Sequence, residues 1–307
     1  MSAPPLVVIV GPTASGKSAL AVALARLLIA GGRPAEIVNA DSMALYRGMD
    51  IGTAKPSPDE RGGVEHHLID VLDVRRTSTV ADFQVMAREL IARLRADGTT
   101  PILVGGSALY TRAVIDDFEF PGTDPRVRAH WQAELDRLGP AGLHEALAAR
   151  APEAARIIGP GNTRRVVRAL EILDLTGSVS PHLPEPRCLL ENVHQYGLAL
   201  DRQVMDERIA ARVRAMFDAG LVEEVRRLVD EGLREGATAR RALGYRQVLD
   251  LLDGRTDLDG AVRSTIDGTR RFARKQLAWF RRDPRIRWLP ATGPGSERTI
   301  VDDLPAP

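Results

Sequence analysis

Leu6-Val7-Val8-Ile9-Val10-Gly11-Pro12-Thr13-Ala14-Ser15-Gly16-Lys17-Ser18 is the stretch that decides the fold. Five apolar residues stop at Gly11-Pro12, and a run from Ser18 to Ala30 closes at Gly31-Gly32, which reads as buried strand, tight loop and helix. The loop from Gly11 to Ser18 fits G-x-x-x-x-G-K-[ST] and lies between strand and helix, where its chemistry requires it. Its glycines let successive backbone N–H groups converge on one anion, and the helix N-terminus adds partial positive charge. Lys17 then reaches an outer phosphate and the Ser18 hydroxyl holds Mg²⁺. The plainer reading is a glycine-rich turn carrying a solvated lysine.

Outward from this loop, Glu36 to Asn39 forms a short strand that delivers Asp41 at its carboxyl end, and His67 to Leu72 is a third strand. Thr79 with Asp82 starts a helix that runs to about Arg95, and Pro101 to Val104 is a buried strand stopped by Gly105-Gly106. The alternation predicts an α/β fold, a P-loop NTPase-like doubly wound parallel sheet, with the Asp41 strand beside the P-loop strand at the ligand-binding end. From about Asp117 the pattern changes to successive helices, Arg126 to Leu138, Ala141 to Arg150, Pro152 to Ile158 and Thr163 to Leu175, followed by the proline-rich Pro181 to Pro186. This predicts a helical insertion over 118–195 within a discontinuous core of 1–117 and 196–307. A strand returns at Tyr196 to Leu200. Long helices follow at Asp201 to Gly232, Thr238 to Leu252 and Ala261 to Arg282, with a last strand at Ile286 to Leu289.

With 44% hydrophobic and 27% charged residues in 307, the chain has enough apolar content for a core, which excludes intrinsic disorder. No apolar run nears the roughly 18 residues of a spanning helix, and Leu6 to Val10 is too short for a signal core, so a cytoplasmic protein without membrane association is expected. Cys188 is the single cysteine, which excludes an internal disulfide and a cysteine-held metal. His66 and His67 point to opposite sides of a strand and cannot readily share an ion, so they are structural or pocket-lining. The net charge of +1 decides nothing about nucleic acid. Only Lys17, Lys55 and Lys275 are lysines among 42 basic residues, which marks them as positions for a compact point charge.

A P-loop specifies phosphate but not the compound; small-molecule kinases, nucleotide-hydrolysing motors and diphosphate-releasing transferases all use one. Asp41 can take a proton from an acceptor or anchor a metal, and a turn or helix cap is its ordinary role.

Asn39-Ala40-Asp41-Ser42-Met43, followed by Leu45 to Pro56 with its Gly52-Thr53-Ala54-Lys55-Pro56, resembles the signature of the tRNA dimethylallyltransferase (isopentenyltransferase) family. His66 to Asp70, Ala81-Asp82-Phe83, Val104 to Ser107 with Leu109-Tyr110, Arg168 to Glu171, and Arg241 to Gln247 continue the similarity in order, to about Trp288. The resemblance implies transfer of a dimethylallyl group from dimethylallyl diphosphate to N6 of adenosine 37, beside the anticodon, with release of diphosphate. It implies that the loop from Gly11 through Pro12, Thr13, Ala14, Ser15, Gly16 and Lys17 to Ser18 cradles the donor, with Thr13 at a substrate position and Ser18 at Mg²⁺. Asp41 becomes the general base. The partners implied are dimethylallyl diphosphate and the tRNA anticodon stem-loop, with no obligate protein partner.

By the same resemblance, tRNA contacts fall at Asp41, Ser42, Met43 and Ala44, at Ser107 and Arg128, and at Arg164, Arg165 and Arg168. They continue at Arg241, Gly244, Tyr245 and Arg246, and at Arg274, Lys275 and Gln276. Ala44 departs from the usual glutamine, which leaves a backbone contact there or none. Arg164, Arg165 and Arg168 fall at i, i+1 and i+4, so two or three of them can share one helix face, and the last long helix has a local excess of cations suited to phosphates. Trp279 and Phe280 read as packing groups rather than stacking platforms. A P-loop kinase would explain only the first half of the chain, and an RNA-binding protein with a nucleotide-sensing loop would leave Asp41 without a role. An enzyme prenylating free adenine nucleotides would not need so extended a basic surface.

Overall fold

The structure, a computed structural model, describes residues 3–180, 182, 184–291 and 295–305; Pro181 and Leu183 of the proline-rich segment lie outside them. The first half of the chain runs β1 (Leu6–Val10), α1 (Lys17–Ala30), β2 (Ala35–Asn39), β3 (His66–His67), α2 (Val80–Ala96), β4 (Thr100–Gly105) and α3 (Ala108–Ile115). Then come α4 (Pro125–Arg150), α5 (Pro152–Ile157) and α6 (Thr163–Thr176). The rest is β5 (Val193–Ala199), α7 (Arg202–Asp218), α8 (Leu221–Asp230), α9 (Tyr245–Leu252), α10 (Leu258–Phe280), β6 (Arg287–Pro290) and α11 (Ser296–Asp303).

The six strands form one parallel sheet in the order β3-β2-β4-β1-β5-β6. Every residue of β1 is buried because helices cover both faces. Val7 and Ile9 pack with Ala21 and Leu24 of α1, while Val8 and Val10 pack with Phe83, Ala87 and Ile91 of α2. One expectation is corrected: β4, not β2, lies beside β1, with Val8 opposite Leu103 and Leu103 opposite Val38. Asp41 still reaches the loop's end of the sheet because β4 finishes in Gly105. A Cβ there would stand 2.7 Å from the Cβ and carbonyl oxygen of Ala40, so only glycine lets the chain leading to Asp41 fold over it.

The chain divides into two compact units, 1–117 with 188–307, and 118–187. The boundary expected at 195/196 moves to 187/188 because Cys188 bridges Asp116 and β5 begins at Val193. In the smaller unit, α4 kinks at Gly139 (φ 70) before Pro140, and Leu143 and Leu147 beyond the kink pack with Val166 and Leu170 of α6. In the larger unit the helix expected from Asp201 to Gly232 breaks at Gly220 (φ 97), separating α7 from α8. The one expected from Thr238 to Leu252 becomes a 3₁₀ turn and α9, parted at Gly244 (φ 89). The strand expected from His67 to Leu72 shrinks to β3, with Leu72 making an isolated bridge to Tyr46. Helices α3 and α11 were not anticipated. Among the described residues no helix is long and apolar enough to cross a membrane.

Candidate functional site

The loop leaving β1 turns through two left-handed residues, Ala14 (φ 63) and Gly16 (φ 90), the latter capping α1. Left-handed residues flanking Ser15 make a concave array of N–H groups at a helix N-terminus, a geometry that binds anions. Ser15 is fully buried and its Oγ has no hydrogen-bond partner among the described residues. Lys17 Nζ makes a 3.4 Å hydrogen bond to the Pro12 carbonyl. Burial pushes the Lys17 ammonium down to about 8, nearby Asp41 opposes that fall, and Arg212 adds to it.

Asp41 is aimed by Asn39. The Asn39 amide oxygen accepts the Asp41 N–H at 3.0 Å, while its nitrogen donates to the carbonyls of Asp41 at 3.0 Å and Leu68 at 2.9 Å. Asp41 Oδ1 in turn accepts the Met43 N–H at 2.9 Å, a short turn that fixes the carboxylate. Burial raises the nearby Tyr110 hydroxyl above its usual range, with Ser78 and then Ser42 acting against the rise.

Arg212 escapes the sequence reading. Burial lowers its guanidinium pKa, and Asp41 acts against that shift. A signal was present: Met205, Ile209 and Val213 form the buried stripe of α7, and Arg212 stands at i+3 from Ile209 on its edge. An arginine there needs an anionic purpose.

For Mg²⁺, Ser18 is exposed in the first turn of α1, and no group of three His, Cys, Asp or Glu side chains able to hold a metal occurs among the described residues. One hydroxyl and no carboxylate cage suits a cation whose remaining ligands are diphosphate oxygens and water.

Several expected tRNA contacts are placed differently. Tyr245 is fully buried and donates to Glu224 Oε1 at 2.6 Å. Glu224 also accepts the N–H groups of Asp50 at 3.1 Å and Ile51 at 2.8 Å, so the pair anchors the chain beyond Met49 instead of meeting RNA. Gly244 is buried and gives its N–H to Gln247. The Ala44 methyl is buried and its carbonyl accepts the Asp70 N–H at 3.2 Å. Gln276 is buried and accepts the Thr13 N–H at 2.9 Å. Arg241, Arg246 and Lys275 are exposed; Arg274, Ser42, Met43 and Ser107 are half-buried, with Arg274 3.8 Å from Asp206. Phe280 is core, whereas Trp279 is 45% exposed, so the two aromatics part company.

Lys55 fulfils the expectation of a point-charge site: its ammonium meets Asp50 and Asp70 at 2.6 Å each and the Tyr46 carbonyl at 2.9 Å. His67 pairs with Glu36 at 2.6 Å and His66 bonds the Val64 carbonyl at 2.8 Å, both structural roles.

The smaller unit carries its own cluster. Glu171 is fully buried; Arg128 reaches it at 2.7 Å, Arg168 at 2.9 Å and the Asp124 N–H at 3.1 Å. Burial alone would raise the Glu171 carboxyl, but the hydrogen bonds from Arg128 and Arg168 hold it below the usual range. Arg168 also donates to the carbonyls of Pro121 and Gly122. Arg164 and Arg165 stand exposed on the same helix.

The family model for IPP transferase matches residues 44–283. A tRNA dimethylallyltransferase of Kineococcus radiotolerans is 61% identical over 98% of this chain and 96% of that protein. The crystal structure of a full-length tRNA isopentenylpyrophosphate transferase from Bacillus halodurans superposes with a TM-score of 0.70 at 40% identity, covering 97% of this chain and 93% of that one. A eukaryotic dimethylallyltransferase acting on tRNA shares the fold, with a TM-score of 0.80 at 23% identity over 98% of this chain and 80% of its own. From these likenesses, and from a phosphate loop facing an aspartate across one sheet end, the chain belongs to the IPP transferase family.

Proposed function

We propose that this protein transfers the dimethylallyl group of dimethylallyl diphosphate to N6 of adenosine 37 in the anticodon stem-loop of tRNA, releasing diphosphate. The observation that carries the reading is the loop itself, left-handed at Ala14 and Gly16 around a buried Ser15 hydroxyl without a partner among the described residues, with Lys17 folded over it and Asp41 and Arg212 close enough to Lys17 to act on its charge. Two cations suit a departing diphosphate, and one carboxylate suits a proton.

The allylic C–O bond breaks and its electron pair leaves with the diphosphate, while the N6 lone pair forms the new C–N bond. Negative charge therefore grows on the leaving group, where the loop N–H groups, Lys17 and Arg212 stabilise it. Adenine N6 is a weak nucleophile because its lone pair is shared with the ring, so Asp41 accepts its proton as attack proceeds. Mg²⁺ held by Ser18 would neutralise further diphosphate charge. The target base leaves the stack to reach such a site. Exposed Arg164, Arg165, Arg241, Arg246 and Lys275, with Arg274, are the groups suited to RNA phosphates.

The test incubates the protein and Mg²⁺ with labelled dimethylallyl diphosphate and an anticodon stem-loop, with AMP as the competing acceptor. Label on N6 of the stem-loop adenosine is expected. Label only on AMP, or γ-phosphate transfer from ATP with no label transferred, would overturn the reading.

A further inference from the structure

We infer that Gln276 is a positioning residue of the phosphate-binding loop and not a contact to RNA. Helix α10 has two unlike faces: Arg271, Phe272, Lys275 and Trp279 are exposed, while Ala273, Gln276 and Phe280 are buried. A carboxamide on the apolar stripe is retained only where its polar atoms find partners or replace solvent for a neighbour. Its Oε1 accepts the Thr13 N–H at 2.9 Å, a bond spanning 263 residues of sequence. Its Nε2 occupies the space where Gly106 lacks a side chain: a Cβ at Gly106 would stand 2.5 Å from that nitrogen and 3.4 Å from the Gly11 carbonyl oxygen.

The carboxamide is thus wedged between two loops at the carboxyl end of the sheet. By drawing the Thr13 N–H inward, it fixes the Pro12–Thr13 peptide plane, one residue ahead of the left-handed Ala14, and with it the direction in which the following N–H groups point. Without the amide, that peptide keeps only the long bonds to its Pro12 carbonyl, from the Ser15 N–H at 3.3 Å and Lys17 at 3.4 Å, and the array loses part of its preorganisation. The helix that presents Arg274 and Lys275 outward therefore holds the donor loop with its inner face. The inference rests on the reading that this loop binds the donor's diphosphate.

Inorganic diphosphate with Mg²⁺, titrated by calorimetry, reports the loop directly, and an anticodon stem-loop titrated into the same preparations reports RNA binding. Gln276→Ala is expected to weaken diphosphate binding about tenfold, the effect of one lost buried hydrogen bond, and to leave the stem-loop Kd within about twofold. Gly106→Ala, which displaces the amide while leaving the sequence of α10 unchanged, is expected to produce the same loss in the parent and none beyond it in the Gln276→Ala background. A stem-loop Kd that rises tenfold with diphosphate binding unchanged would overturn the inference, as would additive effects of the two substitutions. If Gln276→Ala fails to fold, Gly106→Ala alone decides: unchanged diphosphate binding contradicts the role. A parent protein that binds no diphosphate would instead contradict the proposed function.

Discussion

In the larger unit, Lys17 and Arg212 lie among protein groups near Asp41, and neither makes an ion pair with a described residue. In the smaller unit, Arg128 and Arg168 close on the single buried carboxylate of Glu171 at 2.7 and 2.9 Å. Both regions collect cations, but the first leaves them without a direct ion pair among the described residues and the second uses them to hold a helix pair together. A partly buried, uncompensated charge is costly until an anionic ligand arrives, so it marks a binding site. A compensated one marks scaffold.

The widest break of this contrast is Asp41→Asn. The amide keeps the Asx turn with Met43 yet cannot accept the N6 proton, so single-turnover transfer should fall roughly 100-fold to 10,000-fold while the stem-loop Kd holds. Next, Glu171→Gln leaves two arginines without their counter-charge. Because Arg128 is 49% exposed, the loss should fall short of a fully buried pair, at about 2 kcal/mol, read as a lower melting temperature. The companion Glu224→Gln, which keeps a hydrogen-bonding side chain beside Tyr245, gives a control within the larger unit.

A third test uses pH. The Lys17 proton is fully present well below pH 8 and leaves as pH rises through about 8, so diphosphate affinity should decline by up to about tenfold by pH 9, with proton uptake on binding. Ligand-free stability should move the other way between about 8 and 10.5, where the unfolded chain holds the proton that the folded chain has released. Affinity that is flat from pH 7 to 9 would remove Lys17 from the site. The smallest effects belong to the exposed cations: Arg164→Ala or Arg165→Ala should weaken stem-loop binding a few-fold and lower the salt slope by about 0.7 to 0.9 each. A steeper loss on Arg168→Ala than on either would reflect its bonds to Pro121 and Gly122.

The strand-loop-helix around Gly11 to Ser18 and the position of Asp41 after a short strand were legible because both are set by local chemistry: apolar runs, glycines and a chain reversal. Sheet order was not, since the placing of β4 between β1 and β2 depends on the missing side chain of Gly105 against Ala40, a contact distant in sequence. Gly220 and Gly244 sit within helical periodicity and break it through positive φ, which periodicity alone does not register. Glu171 resembles a solvated helix charge until burial is known, and Arg212 is marked only by its place at the edge of the apolar stripe of α7. Tyr245 and Gln276, tRNA contacts by the resemblance, have side chains buried in the fold, a burial that motif matching does not register.

The central claim is tested most directly by a crystal structure of the protein with Mg²⁺, a non-reactive analogue of dimethylallyl diphosphate and an anticodon stem-loop. The diphosphate is expected on the N–H groups of Ala14, Gly16, Lys17 and Ser18 beside the Lys17 ammonium and Arg212, with Asp41 about 2.6 to 3.2 Å from adenine N6. Diphosphate bound elsewhere, or a carboxylate beyond reach of that nitrogen, would contradict it.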